Sequence, residues 1–285
     1  MELVRRPYHF LKYRVARNFL RGVDFRRARR ALSRSDAVSE EHKRLLASVS
    51  LRTHLDDRMY TGSALQYLSV GLSALDMLEI ALRAAGKPPD DVRTLLDFPC
   101  GYGRVLRFLR ARFPAAVITA AEVDPRALEF CSREFAVRAQ RSGEDFAKLT
   151  GFDHFDVIWC GSLVTHVDSR ATGDLLRFFH DHLSPGGVCV VTTHGERAAQ
   201  WIENGTETYL LSAPTRRRLL REYRDTGAAY ADYENRRGYG VSLISQTRML
   251  EIAAGVGNWS NACYLEHGWL DHQDVYGFAA PTVRD

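Results

Sequence analysis

The run Leu95-Leu96-Asp97-Phe98-Pro99-Cys100-Gly101-Tyr102-Gly103-Arg104-Val105 passes from apolar residues ending in an acid, through alternating glycines, into a stretch of helical spacing. Glycine permits positive φ and lets backbone approach a ligand closely, and the helix start that follows presents unpaired N–H groups. Strand, glycine turn and helix in this order make a site of nucleotide size. Outward from it the pattern alternates. Strands are expected at 94–98, 116–121, 136–139, 155–160 and 188–193, with helices near 103–112, 125–134 and 170–183 between them. This repetition predicts an α/β fold with a doubly wound, mostly parallel sheet. A helix near 246–254 precedes two strand-like runs, 259–266 and 273–279, whose connection is too short for a parallel crossover. The sheet is therefore expected to hold about seven strands and to finish in a reversed pair.

The first ninety residues read differently. Leu3, Val4, Tyr8, Phe10, Leu11, Val15, Phe19 and Leu20 recur at roughly helical spacing between basic residues, predicting an amphipathic helix. Two further helical stretches follow, around 37–54 and 64–85, the second stopped by Gly86-Lys87-Pro88-Pro89. The expected organisation is a helical N-terminal extension over 1–90 and an α/β domain over 91–285, with an insertion at about 196–245.

Composition narrows the class. The chain has 285 residues, 45% hydrophobic and 26% charged, which suits an ordinary globular core and excludes a low-complexity protein. Its five cysteines, Cys100, Cys131, Cys160, Cys189 and Cys263, are widely spaced and odd in number, which fits a reduced, cytoplasmic protein and gives no metal-type pairing. No uninterrupted apolar run approaches the roughly 18 residues of a membrane span, so no transmembrane segment is expected. Residues 1–34 hold eleven arginines and lysines against Glu2 and Asp24, a net +9, so the remainder carries −5 of the total +4. Such a basic stretch admits contact with nucleic acid or an anionic membrane surface, although a solvated helix face explains it equally. No feature of the sequence fixes an oligomeric state.

The dinucleotide fingerprint would need a small residue at position 106, where this chain has Leu106, which disfavours NAD or FAD. Glu122 lies 21 residues after Gly101, at the end of the next expected strand, where a carboxylate can accept both hydroxyls of a ribose. With Asp97, Gly101 and Gly103 in the spacing of the first motif, the chain resembles the class I, Rossmann-like S-adenosylmethionine-dependent methyltransferases. The resemblance extends over about residues 91–280 through Phe155-Asp156-Val157-Ile158-Trp159, Leu183-Ser184-Pro185-Gly186-Gly187 and the closing reversed strands. It implies S-adenosyl-L-methionine as cofactor, held by Asp97, Gly101 and Gly103, with Glu122 on the ribose and Val123 on the adenine. Cys160, which closes the fourth strand at the same edge, is counted with them. Pro99 departs from the family's first glycine and removes an N–H donor from the loop entry. Cys100 is expected to be packing rather than a nucleophile.

Ligands of open α/β sheets bind outside the carboxyl ends of the strands. Three histidines are expected at that edge: His166 after the fourth strand, His194 after the fifth, and His272 between the last two. The resemblance places His166 beside the acceptor, and all three are candidate catalytic residues. Insertions like 196–245, which holds Trp201, Tyr209, Tyr223, Tyr230, Tyr233 and Tyr239, build the acceptor lid in this family. The segment Cys160-Gly161-Ser162-Leu163 lacks the Asn-Pro-Pro-Tyr pattern used for planar amino groups, which favours an oxygen acceptor. The expected function is O-methylation of a small hydroxylated molecule, a sugar unit or specialised metabolite. An RNA or polyanion methyltransferase using the basic N-terminus and a non-catalytic cofactor-binding module are the alternatives. No metal is expected.

Overall fold

The computed structural model describes residues 5–283, and side chains from residue 17 onward with residue 18 excepted; the amphipathic face expected from Leu3, Val4, Tyr8, Phe10, Leu11 and Val15 lies outside the described residues and side chains. In chain order the elements are α1 (Arg5–Arg34), α2 (Glu40–Ser48), α3 (Ala64–Ala84), β1 (Thr94–Asp97), α4 (Leu106–Arg112), β2 (Val117–Glu122), α5 (Pro125–Phe135), β3 (Arg138–Arg141), β4 (Phe155–Cys160), α6 (Ser169–His182), β5 (Leu183–Thr193), α7 (Glu196–Asn204), α8 (Ala213–Thr226), β6 (Ala228–Tyr233), β7 (Arg236–Ile244), α9 (Gln246–Ala254), β8 (Ser260–Trp269) and β9 (Gln273–Ala279).

Seven strands form one sheet in the order β3-β2-β1-β4-β5-β9-β8. The first five are parallel, and β9 runs antiparallel to both β5 and β8. The order reverses between β1 and β4, so the chain leaves these neighbours in opposite directions and opens a crevice at their carboxyl ends. Strand alternation sorts the core. Leu95, Val157, Trp159, Val188 and Val190 face α3, α4 and α5, whereas Leu96, Ile158, Cys160, Cys189 and Val191 face α6 and α9.

The helices before residue 90 share the first of these cores, where Phe25, Leu46, Leu68 and Leu75 pack with Leu95 and Trp159. On α1, Phe25, Ala28 and Leu32 are buried while Arg26, Arg27, Arg30 and Arg34 are exposed, an amphipathic helix laid on the core. Helix α3 is apolar and long enough to cross a bilayer by composition, yet over half of that window is buried inside the protein. Gly71 lets it approach α4, since a Cβ there would lie 2.2 Å from the Phe108 ring. Arg107 of α4 is buried and binds carbonyls from both regions, with Nε 2.9 Å from Gly103 O and Nη1 2.7 Å from Ser50 O and 3.0 Å from Arg52 O. Its Nη2 donates to the Tyr67 hydroxyl at 3.3 Å, which donates in turn to buried Asp57 at 2.7 Å.

The insertion builds its own small core from α7, α8 and the β6–β7 hairpin, around Ile202, Leu219, Tyr223 and Val241. Ile244 N donates to His194 O at 2.9 Å, tying the hairpin to the exit of β5.

Candidate active site

The glycine loop is shaped by backbone bonds to its neighbours. Phe98 N donates to Trp159 O and Cys100 N to Ala121 O, each at 2.9 Å, so the exit of β1 is pinned to β4 on one side and β2 on the other. Glu122 then braces the turn. Its Oε2 accepts Gly101 N at 3.0 Å, and its Oε1 accepts Val123 N at 2.7 Å and Asp124 N at 3.2 Å. Oε1 is thus doubly engaged, and Oε2 retains a lone pair for a further donor. The two motif glycines have different reasons. Gly101, at φ +50°, has open space where a side chain would go, whereas a Cβ on Gly103, at φ +80°, would lie 2.3 Å from the Phe135 ring. Gly101 thus faces the crevice and Gly103 admits α5. Cys100 is buried beside Cys131, and that contact together with burial pushes its thiol well up, away from the thiolate a nucleophile needs.

Asp97 ends β1 fully enclosed, with Oδ2 lacking any hydrogen-bond partner among the described residues. Burial first, and the Glu122 charge second, push its carboxyl well above the ordinary range. Beside the loop opens a cavity of about 270 Å³. Pro99, Glu122 and Val123 line one side, Ser142, Gly143, Glu144 and Phe146 the end beyond β3, and Arg236, Arg237, Gly238 and Tyr239 of the inserted hairpin close it over. Cys160 corrects an expectation: its side chain is fully buried in the core with Leu96 and Ile158 and does not line the cavity, because its alternation on β4 points it at α6.

The expected histidines converge beyond the same edge. The loop leaving β4 is held by a polar chain in which Ser162 N donates to Thr192 Oγ1 at 2.8 Å, Thr192 Oγ1 to Gln273 Oε1 at 2.6 Å, and Gln273 Nε2 to Ser162 Oγ at 3.1 Å. His166 follows, with Nδ1 2.7 Å from Gly240 O and its ring stacked on Tyr239 at 4.6 Å. A carbonyl only accepts, so Nδ1 carries the proton and Nε2 presents a free lone pair. Burial chiefly lowers the His166 pKa, the nearby Arg236 charge adds to this, and the Gly240 bond opposes it. His194 is 3% exposed and lies 4.9 Å, centroid to centroid, from both His272 and Tyr209. Its Nδ1 has no partner among the described residues, and burial, with His272 and His166 beside it, holds it well below the usual imidazole range. His272 is stacked on Trp201 at 4.6 Å and its Nε2 is hydrogen-bonded to the Tyr209 hydroxyl at 2.5 Å; burial lowers its pKa too. All three are therefore held toward the neutral form. Among the described residues no three His, Cys, Asp or Glu side chains are grouped to hold a metal ion.

Sequence reasoning did not single out Phe146, Ser142 and Glu144, nor Arg236 and the Gly240 carbonyl, and it named Tyr239 only among the aromatic residues of the insertion. The first group was reachable, since Ser142-Gly143-Glu144-Asp145-Phe146 leaves β3 at the ligand-binding edge. The second was not, because nothing local directs a hairpin to a partner about seventy positions away.

Residues 96–189 match a family model described as a methyltransferase domain. The fold is similar to that of DesVI from Streptomyces venezuelae, with a TM-score of 0.51 and 16% identity over 75% of this chain and 92% of that one. It is also similar to a S-adenosylmethionine-dependent methyltransferase from Clostridium acetobutylicum, with a TM-score of 0.51 and 12% identity over 79% and 96% of the two chains. An O-methyltransferase family protein from Burkholderia thailandensis gives 0.50 and 13%, over 86% of this chain and 64% of that one. Comparison with curated proteins gives no match. At these identities the structural likenesses speak for the fold.

The residues present fit such a cofactor on their own chemistry. The partnerless Asp97 Oδ2 requires a donor or a positive charge, Gly101 leaves open space at the loop, and Glu122 Oε2 has a lone pair to spare for a hydroxyl beside the apolar Val123 and Phe146.

Proposed function

We propose, on the premise that this chain is a class I S-adenosylmethionine-dependent methyltransferase, that its acceptor is a small hydroxylated molecule and that the methyl group goes to oxygen. The cofactor when bound supplies a methyl group already activated on a sulfonium. Asp97, Gly101, Glu122 and Val123 are the residues assigned to hold it. The protein's remaining task is to align the acceptor and receive one proton, and alignment is the larger contribution, about 7–11 kcal/mol against a factor of about 10²–10⁴ from a general base.

The observation that carries the reading is the state of His166. Its Nδ1 is occupied by the Gly240 carbonyl and its Nε2 has no partner among the described residues, so a neutral imidazole offers one acceptor nitrogen. An acceptor hydroxyl loses a proton as it is methylated, and Nε2 is placed to take it. His272 is a poorer base because its Nε2 is already engaged by the Tyr209 hydroxyl, and His194 is enclosed. In this reading both are walls of the acceptor site, together with Trp201 and Tyr209. Stacked rings and neutral imidazoles suit a ring-bearing acceptor with hydroxyls, a sugar unit or specialised metabolite, better than a polyanion. The test is transfer of labelled methyl from S-adenosylmethionine to panels of hydroxylated sugars, phenols, amines and RNA, with the modified atom located by mass spectrometry. Label on nitrogen or carbon, or on RNA alone, overturns the proposal.

A further inference from the structure

The hairpin that covers the cavity is built to reach it. The β6–β7 ladder has a bulge between Asp232 and Tyr233. Asp232 Oδ1 fixes it by accepting Gly238 N at 2.8 Å and the Tyr230 hydroxyl at 2.7 Å. Gly240 lets the strands close, since a Cβ there would lie 1.9 Å from Ala231 O. Between the Asp232–Gly240 and Tyr233–Arg236 pairs the bulge leaves Arg237, Gly238 and Tyr239 unpaired, and with Arg236 these residues line the cavity. There the hairpin makes contacts in two directions. Toward the β3 end, Arg236 Nη2 bonds Glu144 at 3.2 Å and its guanidinium lies 4.1 Å from the Tyr239 ring centroid. Toward the acceptor side, Tyr239 stacks on His166, Gly240 O holds His166 Nδ1, and the Tyr233 hydroxyl lies 3.4 Å from the same nitrogen.

The geometry points to a cofactor site completed by the insertion: Arg236 and Tyr239 form the outer wall of the adenosine end, and Tyr239 with Gly240 positions His166. This rests on the reading that Glu122 and Val123 hold the adenosine, since those two and the hairpin line one cavity. Tyr239 touches both halves, so filling the cavity and orienting the imidazole become one event. Tyr239 is a positioning residue for His166 and a binding residue for the cofactor. Arg236 acts on binding directly at the wall and through Glu144, and reaches His166 only through its charge.

The experiment is calorimetry of the full chain with S-adenosylhomocysteine and with methylthioadenosine, which lacks the amino-acid portion, on wild type, Arg236→Ala, Glu144→Ala, the double variant, Tyr239→Phe and Tyr239→Ala. Hydrogen exchange over 228–244 and circular dichroism accompany each. The ion pair is exposed, so Arg236→Ala and Glu144→Ala are each expected to weaken both ligands about 2- to 5-fold, with the double variant no worse than the weaker single one. Tyr239→Ala is expected to weaken both by about 10-fold and to abolish the slowing of hairpin exchange by ligand, while Tyr239→Phe, which keeps the ring, restores both. Folded variants that bind both ligands like wild type, with unchanged hairpin exchange, overturn this inference and leave the cofactor assignment standing. A folded wild type that binds neither ligand overturns both.

Discussion

The two halves of the crevice are assembled by opposite means. On the glycine-loop side the decisive contacts, Gly101 N to the Glu122 carboxylate and Gly103 against the Phe135 ring, join loop backbone to side chains of the next strand and helix. On the insertion side His166 is placed by Gly240 and Tyr233, and His272 by Tyr209, across sixty or more positions and mostly through side chains. A site of the first kind is written in a short motif and tolerates change elsewhere. A site of the second kind depends on how an insertion happens to fold.

The comparison breaks most sharply at His166. His166→Ala is expected to lower turnover by about 10²–10⁴ with little change in S-adenosylhomocysteine affinity. A loss of affinity as large as the loss of turnover would show that the two halves are not separable. The protonation state gives a second reading of the same residue. Only neutral imidazole accepts a proton, so turnover falls as pH drops through the His166 pKa. Burial lowers that pKa, so the acidic limb at saturating acceptor is expected below the ordinary imidazole value of about 6.5 and to vanish in His166→Ala. A limb that persists in His166→Ala and disappears in His272→Ala moves the base to the other histidine.

Glu122→Ala tests the motif side. The lost bonds to a charged acceptor are each of about 1.5–3 kcal/mol, so calorimetry should show binding weakened by roughly 10- to 100-fold or more, since Gly101 N also loses its partner. The smallest effect separates the glycines. Gly103→Ala must displace Phe135 and is expected to cost about 1–3 kcal/mol of stability by overpacking in addition to its backbone strain, whereas Gly101→Ala costs backbone strain alone. Thermal unfolding of the two variants checks the order. Equal losses would mean that Gly103 has no packing role.

The same contrast explains what could be read from the sequence. Strands β4 and β9 and helix α9 fall within the expected stretches to the residue, because each is bounded by turn residues and carries a clear period. Strand β3, expected at 136–139, lies instead at Arg138–Arg141: it is a short, exposed edge strand, and Ala136 sits in the left-handed region that ends α5. Strand β5 begins earlier than expected, at Leu183, because Ser184-Pro185-Gly186-Gly187 reads as a turn yet pairs alongside Phe155 through an irregular register. The hairpin was unread altogether. Arg236-Arg237-Gly238-Tyr239-Gly240 carries no apolar alternation, and its placement comes from the Asp232 bulge and the docking of Tyr239, which are tertiary facts. Asp97 and Glu122 were legible as acids at strand ends from their spacing to Gly101, and the structure places Glu122 against Gly101 N. Cys160 was misread because alternation within a strand decides which way a terminal residue points.

Arg107 limits how this protein can be taken apart. A chain cut near residue 90, where the elements change character, would remove Ser50 O, Arg52 O and the Tyr67–Asp57 pair at one stroke and uncover the apolar face that Phe25, Leu46, Leu68 and Leu75 pack against. Each large apolar side chain uncovered costs about 1.5–3 kcal/mol, against the roughly 5–15 kcal/mol that holds a domain folded. The catalytic half is therefore not a portable module. A graft of the sheet must carry the N-terminal helices that cover it.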